Sequence, residues 1–312
     1  MYRSANFYSI EFNAYLLLIR QNHPFYDKFD DRLKALWTID RSNTNSQEKL
    51  AKLKQAIDKG SASGLIDIYD DKTGETRAKV TILIIACFEG DYQTIKFLLD
   101  NGADPNETER EHNLTAIHVL VDGPYKGQTI TETERAQLIR LMIKNGANVN
   151  HPDKHQLTPI HKAVINDRSE CVDVLIEANV DPNVVFMGER PLSIAARQNR
   201  DKILKKLLDY PQTKTDVKNE AGGTILHFAA AGMIDSPECV DLLIKAGLDI
   251  NIQDQRGNTP LMVACFFNKP RIVKSLVAAN ADVTIKNKEG KDAAALCDDR
   301  DVQECKDILQ QK

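Results

Sequence analysis

The side chains that could do chemistry in this sequence are its seven histidines and six cysteines. Either residue type can hold a metal ion or support nucleophilic catalysis, but both uses need several such residues together. No CxxC pair, no HExxH motif, no glycine-rich phosphate loop after a strand and no GxSxG motif occurs. The histidines that share no metal-ligand spacing are His23, His112, His151 and His155. We therefore expect no catalytic site, no metal and no cofactor; only a site assembled from residues far apart in the sequence would escape this search.

The remaining histidines and two of the cysteines recur in matching sequence contexts. His118, His161 and His227 each follow a threonine by three positions. Cys171 and Cys239 begin the matching segments Cys-Val-Asp-Val-Leu-Ile and Cys-Val-Asp-Leu-Leu-Ile. Because equivalent places in a repeat have equivalent surroundings, we interpret both cysteines as small core residues and not as nucleophiles.

Charge and hydropathy exclude two classes of partner. The formal net charge is −4 and acidic and basic residues are interleaved, so the sequence lacks the basic footprint of a nucleic-acid-binding protein. The apolar stretch near the start, residues 14–19, is far shorter than the roughly 20 residues that span a bilayer, and it makes a poor signal peptide. Cysteines scattered through a chain of this length favour reduced thiols. We expect a cytoplasmic protein that binds no nucleic acid and does not insert into membranes.

From residue 81 onward one pattern recurs, and its clearest copies lie at residues 157–163 and 257–264. Each copy starts at an anchor residue, and the anchors are Thr81, Thr115, Thr158, Arg190, Thr224, Thr259 and, in degenerate form, Asp292. The spacings between successive anchors are 34, 43, 32, 34, 35 and 33 residues. Periods of this size are typical of repeat architectures.

A second element follows most anchors by about 20 residues, as at positions 97–106, 141–150 and 242–251. It is a run of apolar residues that ends in Gly-Ala-Asp-x-Asn or a variant. We expect this glycine to end a helix in the left-handed conformation, which it adopts without steric cost. The glycines are Gly102, Gly146 and Gly247, and asparagine, the next best residue for that conformation, replaces them at Asn179 and Asn280.

The combined pattern resembles the ankyrin repeat, whose signature is Thr-Pro-Leu-His-x-Ala-Ala followed by Leu-Leu-x-x-Gly-Ala-Asp-x-Asn. The resemblance covers roughly residues 71–312. It implies an all-α solenoid of helix–turn–helix repeats with β-hairpin finger loops, in about six repeats and a degenerate C-terminal capping repeat. It also implies that His118, His161 and His227 are buried hydrogen-bonding brackets.

Residues 1–70 differ from the repeats, since they hold ten of the nineteen aromatic residues. Helical stripes run from Phe12 to Ile19 and from Phe29 to Trp37, and Thr44 with Gln47 could form a capping box for a third helix through Ile57. We interpret 1–70 as a helical N-terminal cap on the repeat domain, 71–312. An independent binding module is the alternative. The long second repeat carries an insertion around residues 122–131, either neutral or a functional loop.

The resemblance implies a non-enzymatic module that binds a partner protein through the concave face and finger loops. Finger-tip and inner-helix positions are projected from the anchors, and several of them carry large apolar residues where polar ones would be expected. These candidate partner-binding residues are Phe88, Ile165, Asn166, Phe186, Met187, Arg197, Gln198, Phe266 and Phe267. Exposed apolar clusters usually mark an interaction site.

Two other functions remain open at this point. One is an adaptor whose N-terminal segment docks a second protein, although residues 1–70 contain no recognisable ubiquitin-ligase adaptor box. The other is an effector secreted by an intracellular bacterium, which would act in the host cytosol. In each case we expect a monomer that binds another protein. The identity of that protein is unknown, because a fold does not specify its target.

Overall fold

A computed structural model describes residues 30–37, 46–58, 61–69, 76–123 and 130–311. The stripe from Phe12 to Ile19, the capping box at Thr44 and residues 124–129 of the insertion lie outside these ranges. The chain divides into two compact units, Met1–Lys162 and Ala163–Lys312.

The first unit begins with two helices and a β-hairpin. Its elements are α1 (Asp31–Trp37), α2 (Ser46–Asp58), β1 (Leu65–Tyr69), β2 (Thr76–Thr81), α3 (Ile82–Glu89), α4 (Tyr92–Asp100), α5 (Ala116–Asp122) and α6 (Glu132–Lys144). The strands pair antiparallel, with Ile66 opposite Val80 and Ile68 opposite Ala78. The second strand of this hairpin ends at the first anchor, Thr81, and the hairpin crosses the predicted domain boundary at residue 70. That boundary stays a prediction.

The helices that precede the hairpin pack on the first repeat. Helix α1 contacts α2 and α3, and α2 contacts α4. The apolar faces of these two helices are buried, as their sequence patterns predict. The buried residues include Leu33 and Leu36 of α1 and Leu53 and Ile57 of α2. An end repeat has only one neighbouring repeat, so this arrangement is what a capping segment requires.

Helix α7 (Pro159–Ile165) contains the junction between the units, and the second unit continues the repeats. Its further helices are α8 (Ser169–Glu177), α9 (Pro191–Arg197), α10 (Asp201–Asp209), α11 (Ile225–Ala230), α12 (Glu238–Lys245), α13 (Pro260–Phe266), α14 (Pro270–Ala278), α15 (Ala293–Arg300) and α16 (Gln303–Gln310). The first helices of the repeats pack in one row, α9 to α11 to α13 to α15. The second helices pack in another row, from α8 through α10, α12 and α14 to α16. We call these rows the inner and outer helices.

The anchor residues begin the inner helices as the sequence predicts. The hydroxyl of Thr81 accepts the N–H of Ile84 at 3.1 Å, and that of Thr259 accepts the N–H of Met262 at 3.3 Å. Asp292, the degenerate anchor, accepts the N–H of Ala295 at 2.9 Å. Each bond satisfies an amide that the first turn of a helix leaves without a partner.

Left-handed residues follow the second helix in five of the repeats. The φ angles of Gly102, Gly146 and Gly247 lie between 82° and 87°, and Asn179 and Asn280 have φ of 57° and 65°. Both predictions for this position are therefore confirmed. Among the described residues, no helix combines the length and the apolar character needed to cross a bilayer.

Candidate partner-binding surface

The recurring histidines are buried and hold neighbouring segments together. In the Thr115 copy, Nδ1 of His118 accepts the backbone N–H of Thr115 at 3.2 Å and lies 2.8 Å from its hydroxyl. The other ring nitrogen, Nε2, then carries the proton and donates to the carbonyl of Leu157 at 3.2 Å. Burial lowers the pKa of His118 well below its ordinary value, and the nearby charge of Lys162 lowers it further. The ring is a neutral bracket, as the family resemblance implied.

The other two recurring histidines repeat this geometry. Nδ1 of His227 lies 2.9 Å from the hydroxyl of Thr224, and its Nε2 lies 3.0 Å from the carbonyl oxygen of Asn258. His161 makes the same pair of contacts with Thr158, at 3.3 Å to the amide and 2.9 Å to the hydroxyl. All three positions are therefore occupied by structural hydrogen bonds.

One buried charge cluster lies in the first unit. Nζ of Lys162 is 2.8 Å from Oδ2 of Asp122 and 3.4 Å from Oδ2 of Asp153, and all three side chains are less than a tenth exposed. The second oxygen of Asp153 accepts the amides of His155 at 2.8 Å and Leu157 at 2.9 Å. Burial alone would lower the pKa of Lys162, but the two carboxylates offset it and the pKa is raised. The cluster ties the end of α5 to the next finger and to α7.

The cysteines are core residues. All six are free thiols and all are buried, including Cys171 and Cys239 in their matching places on α8 and α12. Burial raises the pKa of Cys239 to about 12, so its reactive thiolate is scarce near neutral pH. Within the described ranges, no three His, Cys, Asp or Glu side chains are grouped to hold a metal ion.

Two of the nine candidate partner-binding residues are not solvent-facing. Phe88 and Phe186 are only 8% and 7% exposed, so the expectation of exposed apolar side chains is wrong for both. Phe88 belongs to α3, whose residues 82–88 are all buried because α1, α4 and α5 pack around this helix. It therefore contributes to the core of the first repeat.

Phe186 is turned inward by the hairpin at its finger tip. Its backbone N–H donates to the carbonyl of Glu189 at 2.8 Å, and the N–H of Glu189 returns a bond of 3.0 Å. Met187 and Gly188 form the turn with φ angles of 51° and 79°. The turn points Met187 outward, where its side chain is 65% exposed.

The remaining candidates lie at the ends of inner helices. Ile165, Asn166, Arg197 and Gln198 are half-buried. Nε of Arg197 is 3.1 Å from a carboxylate oxygen of Glu189, so this side chain links its helix to the finger before it.

Phe266 and Phe267 end helix α13 and are exposed. Their rings meet edge to face with centroids 5.2 Å apart. The guanidinium of Arg300, at the end of α15, lies over the Phe266 ring at 4.4 Å from its centroid. Such a cation–π contact leaves the cation at the edge of the apolar surface.

The exposed apolar residues that were not among the candidates include the adjacent pair Met233 and Ile234. They lie between α11, which ends at Ala230, and α12, which begins at Glu238. This connection is longer than the corresponding one in the next repeat, where α13 ends at Phe266 and α14 begins at Pro270. In the sequence Met233 and Ile234 belong to a Gly-Met-Ile run after three alanines, nine and ten residues after the anchor Thr224, which is beyond the positions projected from the anchors.

The long connection, residues 231–237, is fixed to both neighbouring repeats. The N–H of Met233 donates to the carbonyl of Arg197 at 2.9 Å. The carboxylate of Asp235 accepts the first amides of α14, from Arg271 at 3.0 Å and Ile272 at 3.2 Å. Gly232 has no room for a side chain, since a Cβ there would lie 2.8 Å from the carbonyl oxygen of Ala229. The connection therefore holds Met233 and Ile234 in the solvent by defined contacts.

We call Met233, Ile234, Phe266 and Phe267 the apolar quartet. Helices α11 and α13 pack side by side, and the quartet follows the end of the first and forms the end of the second. All four residues therefore lie at or beyond the C-terminal ends of two adjacent inner helices.

The comparison with protein families agrees with the repeat pattern. A family model described as ankyrin repeats in three copies matches residues 83–186, 129–219 and 192–287. The ankyrin repeat domain of human ASB11 superimposes with a TM-score of 0.61 at 21% identity, over 74% of this chain and 98% of that domain.

Curated relatives match only in part. Dog inversin is 31% identical over 161 residues, which is 51% of this chain and 15% of inversin. The E3 ubiquitin-protein ligase KEG of Arabidopsis thaliana is 27% identical over 168 residues, 51% of this chain and 10% of the ligase. The chain thus spans a small fraction of the length of either relative. Because the family model covers well over half of the sequence, the chain belongs to the ankyrin-repeat family.

Proposed function

We propose that this chain binds a partner protein through the ends of its inner helices and its finger tips, with the apolar quartet and Met187 as the main contacts. Ankyrin repeats are protein–protein interaction modules. The observation that carries the specific surface is the exposed aromatic pair Phe266 and Phe267, together with Met233 and Ile234, which are exposed after the neighbouring inner helix. Apolar residues scattered singly over a surface are ordinary, whereas a fixed cluster of them with aromatics is typical of an interface centre.

The local charges fit the rim of such an interface. Arg300 lies over Phe266, and the described residues supply it with no carboxylate partner. Interfaces commonly surround an apolar centre with polar groups that keep water out. The partner we propose presents apolar side chains to the quartet and an acidic group to Arg300.

A double variant, Phe266→Ala with Phe267→Ala, tests the proposal. We expect it to lose about 1–3 kcal/mol of binding free energy, because truncated aromatic residues at an interface centre cost that much. The measurement is affinity capture from cell lysate, followed by titration of the captured protein. Circular dichroism and thermal unfolding must first show that the variant is folded.

Tyr92→Ala is the matched control. Tyr92 is 42% exposed and Phe266 is 41% exposed, so both substitutions remove a half-exposed aromatic ring. Proteins retained by the intact chain and by Tyr92→Ala, but lost by the double variant, would support the proposal. Equal retention by all three chains would refute it and direct attention to the N-terminal helices and the insertion.

The alternative of an adaptor with a second docking site at the N-terminus has less support. Leu33 and Leu36 of α1 are buried, and α1 packs on α3 of the first repeat, which favours a capping role. Deletion of residues 1–70 separates the two possibilities. A cap's removal exposes the repeat core and causes aggregation, whereas an adaptor segment's removal costs one partner and leaves the remaining chain folded.

We also propose a reducing compartment, such as the cytoplasm, as the site of action, and a monomer as the acting form. The six buried free thiols support the first point. Size-exclusion chromatography with light scattering would test the second, and a stable dimer would contradict it.

A further inference from the structure

The outer helices α12 and α14 are separated by an open groove of about 630 Å³. Its apolar lining comes from Ile244 on α12 and from Ala278 and Ala279 at the end of α14. This groove lies on the outer helices, and none of its lining residues belongs to the apolar quartet.

The groove exists because α14 carries small residues where α12 does not. An alanine follows the last residue of each helix, Ala246 after α12 and Ala279 after α14, and we align the two helices on it. In that register Ser275 takes the place of Leu242, and Ala278 takes the place of a lysine. The hydroxyl of Ser275 donates to the carboxylate of Asp241 across the groove. The lost side-chain volume leaves the space that the groove occupies.

Three cations line the groove: Lys245 from α12, and Arg271 and Lys274 from α14. In the part of the chain that the structure describes, none of them forms an ion pair. The lysines of α10 differ, since Lys205 is 2.8 Å from Asp209 and Lys206 is 2.6 Å from Asp173.

Arg271 is partly held in place. Its guanidinium donates to the backbone carbonyl of Asp235 at 3.3 Å, which fixes the side chain without neutralising its charge. Asp241 is the one carboxylate among the lining residues, so the three lining cations outnumber it, in a chain whose net charge is −4. The carboxylates of Glu238 and Asp235 lie beside Arg271 outside this lining, so Lys245 and Lys274 supply the excess positive charge.

We propose that this groove binds an acidic protein segment that also carries apolar side chains. The glutamates or aspartates of the segment would pair with Lys245, Arg271 and Lys274, and its apolar residues would lie on Ile244 and the two alanines. Charge complementarity selects the sign of the ligand. The apolar lining selects a peptide over a phosphate polyanion, because a polyanion uses the cations and leaves the apolar surface without a contact.

The probe for this proposal is a fluorescein-labelled peptide of alternating glutamate and leucine, measured by fluorescence anisotropy with the full chain. We expect saturable binding that weakens as salt is added, because exposed charges are screened. The same peptide with glutamine in place of glutamate should bind at least about fivefold more weakly.

Two variants address the groove itself. Lys274→Glu should weaken binding about five- to tenfold, since it replaces an attraction with a repulsion. The matched control is Lys202→Glu, which makes the same charge change at an exposed lysine of α10 and should change binding less than about twofold. Ala278→Trp fills the groove without changing charge and should also abolish most of the binding.

The outcomes separate this inference from the partner surface proposed above. Loss of peptide binding in Lys274→Glu and Ala278→Trp, with retention in the Phe266→Ala and Phe267→Ala double variant, supports the groove. Unchanged binding in both groove variants overturns the proposal. Competition by inorganic polyphosphate as effective as by unlabelled peptide, without any loss in Ala278→Trp, would identify a general polyanion surface and also overturn it.

Discussion

Replacement of Lys162 by methionine should destabilise the fold by about 3–5 kcal/mol, because it removes the cation that two buried carboxylates contact. Nζ lies 2.8 Å from Asp122 and 3.4 Å from Asp153. At an effective dielectric constant of about 20, each contact is worth about 5–6 kcal/mol of attraction before desolvation. Burial of the ions costs several kcal/mol each, so little net stabilisation remains in the intact cluster. The variant retains the cost of the buried carboxylates and loses the attraction.

Urea unfolding followed by far-ultraviolet circular dichroism measures the effect. Because repeats can unfold in segments, amide hydrogen exchange of α5 and α7 should accompany it and report the local loss. The control is Lys205→Met, which breaks the exposed pair with Asp209, in which both side chains are more than half exposed. Lys205→Met should change the free energy of unfolding by no more than about 0.5 kcal/mol. A loss below about 1 kcal/mol for Lys162→Met would refute the reasoning that the cluster is charged and buried.

The pH dependence gives a second check on the same cluster. Lys162 has a raised pKa in the folded chain, so its contribution is complete below the unfolded pKa of about 10.4 and is lost as the pH rises through the folded value. The free energy of unfolding of the intact chain should therefore exceed that of Lys162→Met by a constant amount across the neutral pH range. This excess should shrink only in strong alkali.

Three further predictions concern stability. Gly102→Ala should cost about 1 kcal/mol in urea unfolding, because φ is 86° there while the surrounding space is open, and Gly102→Asn should cost less. Asp235→Ala should lower the thermal unfolding midpoint by an amount equivalent to about 1 kcal/mol, since it removes the side-chain cap of α14. The lowered pKa values of His118 and His227 mean that the folded chain resists their protonation. The unfolding midpoint should therefore fall as the pH drops below roughly 6.5. His227→Gln should reduce this pH dependence of the midpoint, measured by thermal unfolding at a series of pH values. A pH-independent midpoint between about 7 and 5 would contradict this assignment.

The sequence predicted those parts of the fold in which one backbone position has one physical task. A glycine or asparagine after the second helix of five repeats supplies a positive φ, and a threonine or aspartate at the anchors Thr81, Thr259 and Asp292 caps a helix. Few residue types can perform these tasks, so the same types recur in the sequence at the repeat spacing. The second anchor's histidine, His118, was assigned correctly for the same reason: Nδ1 and Nε2 need fixed partners on each side.

Exposure at the finger tips could not be predicted in the same way. The run Val184–Met187 is apolar throughout, so composition gives no alternation that would show which side chain faces inward. The turn decides it: Met187 and Gly188 both take positive φ, as a two-residue hairpin loop requires, and this buries Phe186. The sequence at this turn is Met-Gly and not the Asn-Gly or Asp-Gly that is typical of such hairpins, so it gives no turn signal.

One connection that departs from the repeat pattern contacts both proposed surfaces. Residues 231–237 lengthen the link between α11 and α12 and present Met233 and Ile234 to solvent. The same connection caps α14 through Asp235, holds the Arg271 side chain, and ends at Pro237 on the border of the groove. The connection that carries two residues of the apolar quartet thus also positions a charged residue of the groove. Because Asp235 makes these bonds with both its carboxylate and its carbonyl, its substitution would alter the carboxylate contacts alone and leave the carbonyl bond to Arg271 available.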